Sequence, residues 1–317
     1  MNEEELPSEL RAAVGEFVHW YTQRLRAEQE STKITHTLYH YTNENGLRGI
    51  IESQRLWFTS YLHLNDPSEL THGMNVAHGL LKEISESTGD GLVKMFCDLV
   101  DNLFQHRNFA AVFGFYIASL SSAENDLGQW RAYADNGRGF ALGLAPHLFE
   151  AIETPHPKPT EHIVMPVVYG NATDKRYRAA IEAAAGIVQS NRPHLRDKKI
   201  AIPFMREMAT RLIAGQLIGI SLGVKHEAYS HEREVRLIIL GTQHSQKDDV
   251  RTRIRGSEIV PYMESSLPLR DKDGIFEIVL GPAAGPSAKD AVQRLLQSFG
   301  IDPNNRIRES GIPYRAL

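Results

Sequence analysis

Glu232-Arg233-Glu234-Val235-Arg236-Leu237-Ile238-Ile239-Leu240 sets two carboxylates, one residue apart, at the mouth of an apolar run. Val, Leu and Ile dominate residues 235 to 240, which predicts a buried or half-buried strand. On a strand, residues two apart share a face and lie roughly 7 Å from each other. Glu232 and Glu234 would then look into the same space, which like charges resist unless a cation is there to meet them. Arg233 or Arg236 could be that cation, giving an ordinary salt-bridged strand end. A transient positive charge on a substrate, such as the oxocarbenium-like centre formed when a glycosidic bond breaks, would instead make the pair a site.

On either side of this run, strands and helices intersperse without the regular alternation of a doubly wound sheet, which predicts an α+β fold. Leu10, Val14, Phe17, Val18, Tyr21 and Leu25 recur near helical spacing, so residues 6 to 30 read as an amphipathic helix. Strands are expected at 37–42, 56–60, 111–121, 139–144, 162–169, 250–255, 258–262, 275–280 and 305–309. Helices are expected at 44–52, around 127–134, at 174–190, 198–220 and 288–299. Two more fill 69–107, broken at Thr88-Gly89-Asp90-Gly91. No repeat or Pro/Gly-rich linker divides the chain. The domain reading is therefore an N-terminal helical appendage over 1–35 and a single α+β domain over 36–317.

The 317 residues are 42% hydrophobic and 23% charged, which is ordinary globular material with ample core. A formal net charge of -4 argues against a surface coated in basic groups, although local basic patches remain open. The single cysteine, Cys97, allows no internal disulfide and lies in an apolar helical context, as buried filler would. The acidic opening Met1-Asn2-Glu3-Glu4-Glu5 is unlike the basic start of a signal peptide, and the longest apolar run is too short to span a bilayer. A cytoplasmic protein with no membrane partner is expected.

Several residues suit either packing or chemistry. His40, flanked by Tyr39 and Tyr41, fits a hydrogen-bonded core histidine or a donor to a sugar hydroxyl or amide. Asp66-Pro67-Ser68-Glu69 makes a near-ideal helix start, whereas Asn65 has no such structural role to fill. Trp130 and Tyr133 lie three apart on a helix and suit core packing. Arg251, Arg253 and Arg255 alternate along a strand, as on a charged edge or a stripe that contacts phosphates. No zinc spacing, Walker motif, GxGxxG or GxSxG occurs.

Leu38-Tyr39-His40-Tyr41-Thr42, Leu56-Trp57-Phe58-Thr59-Ser60, Leu64-Asn65-Asp66-Pro67-Ser68-Glu69 and Trp130-Arg131-Ala132-Tyr133-Ala134-Asp135-Asn136-Gly137 resemble the bacterial family known as domain of unknown function 2971. So do Glu232 to Arg236, Ile278-Val279-Leu280-Gly281-Pro282 and Ser310-Gly311-Ile312-Pro313-Tyr314-Arg315, in order from about 38 to 315. A histidine in the first strand, Thr/Ser ending the second and Glu-x-Glu-Val opening a later one resemble, more distantly, the ADP-ribosyltransferase superfamily.

That second resemblance implies a split, mostly antiparallel sheet with inserted and flanking helices, holding NAD as substrate in a cleft where His40, Ser60 and Glu234 converge. It implies that His40 binds the adenosine-side ribose and helps position the nicotinamide, with Thr59 and Ser60 bracing the site. Tyr61 or Tyr41 would stack on nicotinamide, and Asn65 would line the cofactor side. Glu234 would hydrogen-bond the nicotinamide ribose and stabilise the developing cation, and Glu232 would orient the acceptor. The implied activity is transfer of ADP-ribose to a macromolecule, RNA, DNA or protein, in a toxin or phage-defence effector with an antitoxin or chaperone as partner. An NAD glycohydrolase keeps the same site with water as acceptor. A catalytically inactive nucleotide-binding or interaction module, and a metal-dependent nuclease using His36, His40, Asp66 and Glu69, are the remaining readings.

Overall fold

The computed structural model describes residues 6–31, 33–64, 69–105, 114–149, 162–170, 174–241, 250–270 and 273–316. In chain order the strands are β1 (Leu38–Thr42), β2 (Arg55–Ser60), β3 (Gly114–Ser121), β4 (Phe140–Leu144), β5 (Ile163–Pro166), β6 (Val168–Tyr169), β7 (Val224–Lys225), β8 (Glu234–Gly241), β9 (Arg251–Arg255), β10 (Glu258–Ser266), β11 (Ile275–Leu280) and β12 (Ile307–Glu309). The fold is mixed α and β with a mostly antiparallel open sheet, and the chain divides into two compact units. Among the described residues, no helix is long and apolar enough to cross a membrane.

The first unit is helical and draws on three separate stretches of chain, 1–31, 65–113 and 168–227. Its helices include Ser8–Ser31, Glu69–Ser87, Gly91–Gln105 and Asp174–Ser190, with Lys198–Ser221 running through a π-helical turn at Met208–Ile213. Apolar spacing explains the buried faces. Leu10, Val14 and Phe17 of the first helix are buried, as are Tyr177, Ile181, Ala184 and Val188 of the helix it packs against. Asp90 caps Gly91–Gln105 by accepting from the Leu92 backbone at 2.9 Å. Cys97 is fully buried on that helix, and burial pushes its thiol up to about 12, which suits filler and not a nucleophile.

The second unit holds the large sheet, ordered β12-β11-β4-β1-β3-β2-β10-β9, with β8 on the free side of β3 and β5 beyond β8. Among the described residues, only the β11–β12 pairing in this sheet is parallel. β3 is its hinge line: β8 pairs along the full length of one edge, from Gly114↔Gly241 to Ser121↔Glu234. On the other edge β1 and β2 sit end to end, β1 at Ser121 and β2 at Ile117 and Tyr116. Residues 118–120 of β3 fall between the two, so the sheet forks there into a β1-β4-β11-β12 arm and a β2-β10-β9 arm. The Glu44–Ser53 helix joins the arms, started by Asn43, whose side chain accepts from Gly46, and closed at Gln54 in a left-handed conformation.

One face of the sheet carries the main core, including Leu38, Leu142, Ile278, Leu120, Leu237, Phe58 and Met263, under the helices at Leu47–Ile51 and Val292–Leu296. The opposite face of the β1 arm carries a smaller core of Tyr39, Tyr41, Trp130, Ala134, Ala141 and Val279. Its neighbouring chain ends are tied by Gly281 N donating to Gly139 O and Ala283 N to Gly137 O, both at 2.9 Å. A methyl added at Gly281 would run into the Gly137 and Gly139 carbonyls, which are backbone and cannot swing aside. Gly281→Ala is expected to lower stability by about 1–3 kcal/mol, read as a shifted urea midpoint at unchanged m.

Candidate functional site

The fork leaves backbone polar groups of β3 without a strand partner on one edge, and a side chain fills in. The His40 Nδ1 lies 3.2 Å from the Ser119 carbonyl. A carbonyl only accepts, so Nδ1 carries the proton, and in the neutral ring Nε2 is then the unprotonated nitrogen. Burial holds the His40 pKa below its ordinary 6.5; the Ser119 hydrogen bond opposes this, and the Arg253 charge adds to it.

The sign of the resulting pH dependence follows. With the folded pKa below the unfolded one, the unfolded chain binds more protons as pH falls through 6.5, so the contribution of His40 is intact above 6.5 and is lost below it. Urea unfolding at pH 7.5 and 5.5 should show a smaller loss of stability on acidification in His40→Asn than in the natural chain. Equal losses would contradict a lowered pKa for this half-buried ring.

Beside the fork, on β8, the two glutamates depart from their expected arrangement. Glu232 does not lie on the strand. It ends a 3-10 turn, Glu227–Glu232, and Arg233 then takes φ 43° before β8 opens at Glu234. The shared-face argument therefore fails for this pair, because a left-handed residue between them breaks the alternation. Long-range contacts hold the bend: Ser121 Oγ donates to Glu232 O at 2.6 Å, and Ser122 N to Arg233 O at 3.0 Å. Both carboxylates are nonetheless buried, at 6% and 7% exposure. Glu232 Oε1 accepts from the Tyr133 hydroxyl at 3.1 Å. Glu234 is gripped by Arg236, Nε to Oε1 at 2.9 Å and Nη2 to Oε2 at 3.2 Å, with Arg236 only 1% exposed.

Register places each group on one face of the sheet or the other. Ser119, whose carbonyl meets His40, is the β3 partner of Arg236, and Ser121 is the partner of Glu234. Ile117, one step the other way along the same face, pairs with Thr59. Thr59, Arg236 and Glu234 therefore share the sheet face opposite the main core. His40 and Ser60 alternate to the other face, as partners of Leu142 and Tyr116. His40, Ser60 and Glu234 thus do not rise from one face; the fork between the arms is where the His40 ring reaches the Ser119 carbonyl.

Thr59 accepts from Arg253 Nη2 at 2.8 Å. Arg253 lies on β9 with its Cζ 5.2 Å from the Trp57 ring centre and 5.9 Å from that of Tyr262. Its stripe companions are neutralised, Arg251 by Glu264 at 3.0 Å and Arg255 by Glu258 at 3.2 Å. Alternation made the stripe legible, but which arginine has no carboxylate among the described residues depends on glutamates across the hairpin.

The other expected contacts lie as follows. Tyr41 is buried: its hydroxyl donates to Ala123 O at 2.7 Å and accepts from Asp126 N at 3.2 Å, and its ring meets Trp130 edge-on. Burial pushes its phenol up to about 12. Tyr61 is 7% exposed and meets Phe115 edge-on. Asn65 and Asp66 lie outside the described residues. Trp130 is a core residue, its Nε1 donating to Asn125 Oδ1 at 2.8 Å, while Asn125 also receives Ser310 Oγ at 2.7 Å. Tyr133, Ser121 and Ser119 were not singled out beforehand as site residues, because hydroxyls and carbonyls that meet a site across the sheet leave no local pattern.

Residues 129–237 match the family described as Protein of unknown function (DUF2971). That stretch runs from the Trp130 helix through Glu232 and into β8, and it supports the resemblance to that family. No curated protein and no solved structure matches the chain.

Proposed function

We propose that this chain is an NAD-dependent ADP-ribosyltransferase acting on a macromolecule, with the forked sheet as an ADP-ribosyltransferase-like core. The observation that carries the reading is the fork itself: a neutral imidazole seated where β1 and β2 part, one strand away from a buried carboxylate at the start of β8.

In this reading His40 orients a ribose or amide group through Nε2. Glu234, kept in place by Arg236, accepts from a ribose hydroxyl and opposes the positive charge that develops as the nicotinamide–ribose bond breaks. Nicotinamide leaves with the bonding electrons, and the acceptor nucleophile adds to the ribose carbon and loses its proton. Glu232, tied to Tyr133, sits on the chain just before Glu234, where it can take that proton or align the acceptor. Water as acceptor would give NAD hydrolysis from the same residues.

One observation favours a second reading, a catalytically inactive nucleotide-binding module. The Glu234 carboxylate already has a bidentate cationic partner, which reduces the field it can offer a substrate cation. The experiment is incubation of adenylate-labelled NAD with the protein and separate pools of cellular protein, RNA and DNA. Label on a macromolecule, lost in Glu232→Gln, is expected. Free labelled ADP-ribose alone means hydrolysis, and unchanged NAD means the inactive module.

A further inference from the structure

The β2-β10-β9 arm turns one face outward that combines arginines with aromatic rings. Alternation and register put Arg55, Trp57 and Thr59 of β2 beside Glu264 and Tyr262 of β10, and those beside Arg251 and Arg253 of β9. Glu264 is shared, bonding Arg55 at 2.9 Å and Arg251 at 3.0 Å. One carboxylate thus answers two arginines, and Arg253 has none among the described residues. The face carries an excess of two positive charges although the chain as a whole is at -4.

Arg253 is the odd member. Among the described residues its only hydrogen bond is to a hydroxyl and its buried Nε has no acceptor, and burial with the nearby Arg255 charge pulls its pKa down. A guanidinium held in that way is stabilised by an arriving anion. Beside it, Trp57 is 44% exposed, against the rule for so large an apolar ring, and its indole packs on Tyr262 with ring centres 4.6 Å apart. Ring and cation are side by side, with Arg55 and Arg251 at the rim, 44% and 57% exposed.

We propose that this face binds single-stranded nucleic acid, a backbone phosphate on Arg253 and an unpaired base against Trp57. Stacking platforms flanked by arginine are the chemistry by which unpaired strands are held without a sequence code. A duplex hides its base faces and offers only phosphates, so it engages Arg253 but not Trp57. The face adjoins Thr59 and the fork, so under the transferase reading, on which this clause alone rests, the bound strand is the acceptor.

Fluorescence anisotropy with the full chain and labelled 12-nucleotide oligo-dT, oligo-U and a 12-base-pair duplex tests it. Single strands should bind at least about tenfold more tightly than duplex. Trp57→Leu should weaken single-strand binding about tenfold or more and duplex binding little. Arg253→Gln should weaken both and reduce the slope of log K against log salt by about one. Arg294→Gln, on an exposed helix, should change neither. Comparing oligo-dT with oligo-U tells DNA from RNA.

Failure of either strand to bind at about 100 μM, or binding that neither Trp57→Leu nor Arg253→Gln weakens in chains with an unchanged melting temperature, overturns the proposal. NAD-derived label that appears on protein alone overturns the acceptor clause and leaves the binding face standing. Nicotinamide release without strand binding overturns this inference but not the transferase; strand binding without release does the reverse.

Discussion

Arg236→Leu is expected to destabilise the sheet unit by about 3 kcal/mol, because it strips a buried carboxylate of its bidentate cationic partner. At 1% and 7% exposure neither member of the pair has water to fall back on. The two bonds between them run along one strand. Glu234→Leu combined with Arg236→Leu should recover part of the loss, since it also removes the buried charge that Arg236 had answered. Urea unfolding of the two single variants and the double gives the coupling directly. A single variant within about 1 kcal/mol of the natural chain would mean that the pair is solvated in a way its burial does not allow.

The second large effect concerns turnover. His40→Ala should slow cleavage of NAD about a hundredfold, the usual loss when one positioned hydrogen-bonding group is removed from an active site. Its Nδ1 bond to Ser119 makes Nε2 the nitrogen presented to a ligand, so His40→Asn should retain more activity than alanine. Because burial lowers the pKa of the ring and so favours its neutral form, a His40-dependent rate should not fall as pH rises through the neutral range. Equal turnover in His40→Ala would leave the imidazole a plug for the fork and nothing more.

Local pattern made most elements legible. The strand content of Leu56-Trp57-Phe58-Thr59-Ser60 and the helical pattern of 174–190 each named their element, because each reflects neighbours in sequence. The bend at Arg233 could not be read in this way. A left-handed arginine is unfavourable on its own, and it is held by Ser121 and Ser122 from a strand more than a hundred residues earlier.

The fork was equally hidden. β1 and β2 look like any two strands, and their placement end to end on β3 is a matter of long-range pairing. The helical unit assembles from three stretches, so no linker marks it. At the site, strand alternation separates Thr59 from Ser60 and aligns Thr59 with Glu234. That result needed only the β3 register, which no short motif contains.

The most direct test of the central claim is release of nicotinamide from NAD by the purified chain, measured beside Glu234→Gln, a change that keeps the side chain's shape and removes its charge. Release by the natural chain, reduced about a hundredfold or more in a variant that still melts cooperatively, is the predicted result. Release that is absent in the natural chain, or undiminished by Glu234→Gln, would contradict the account and leave the fork as architecture alone.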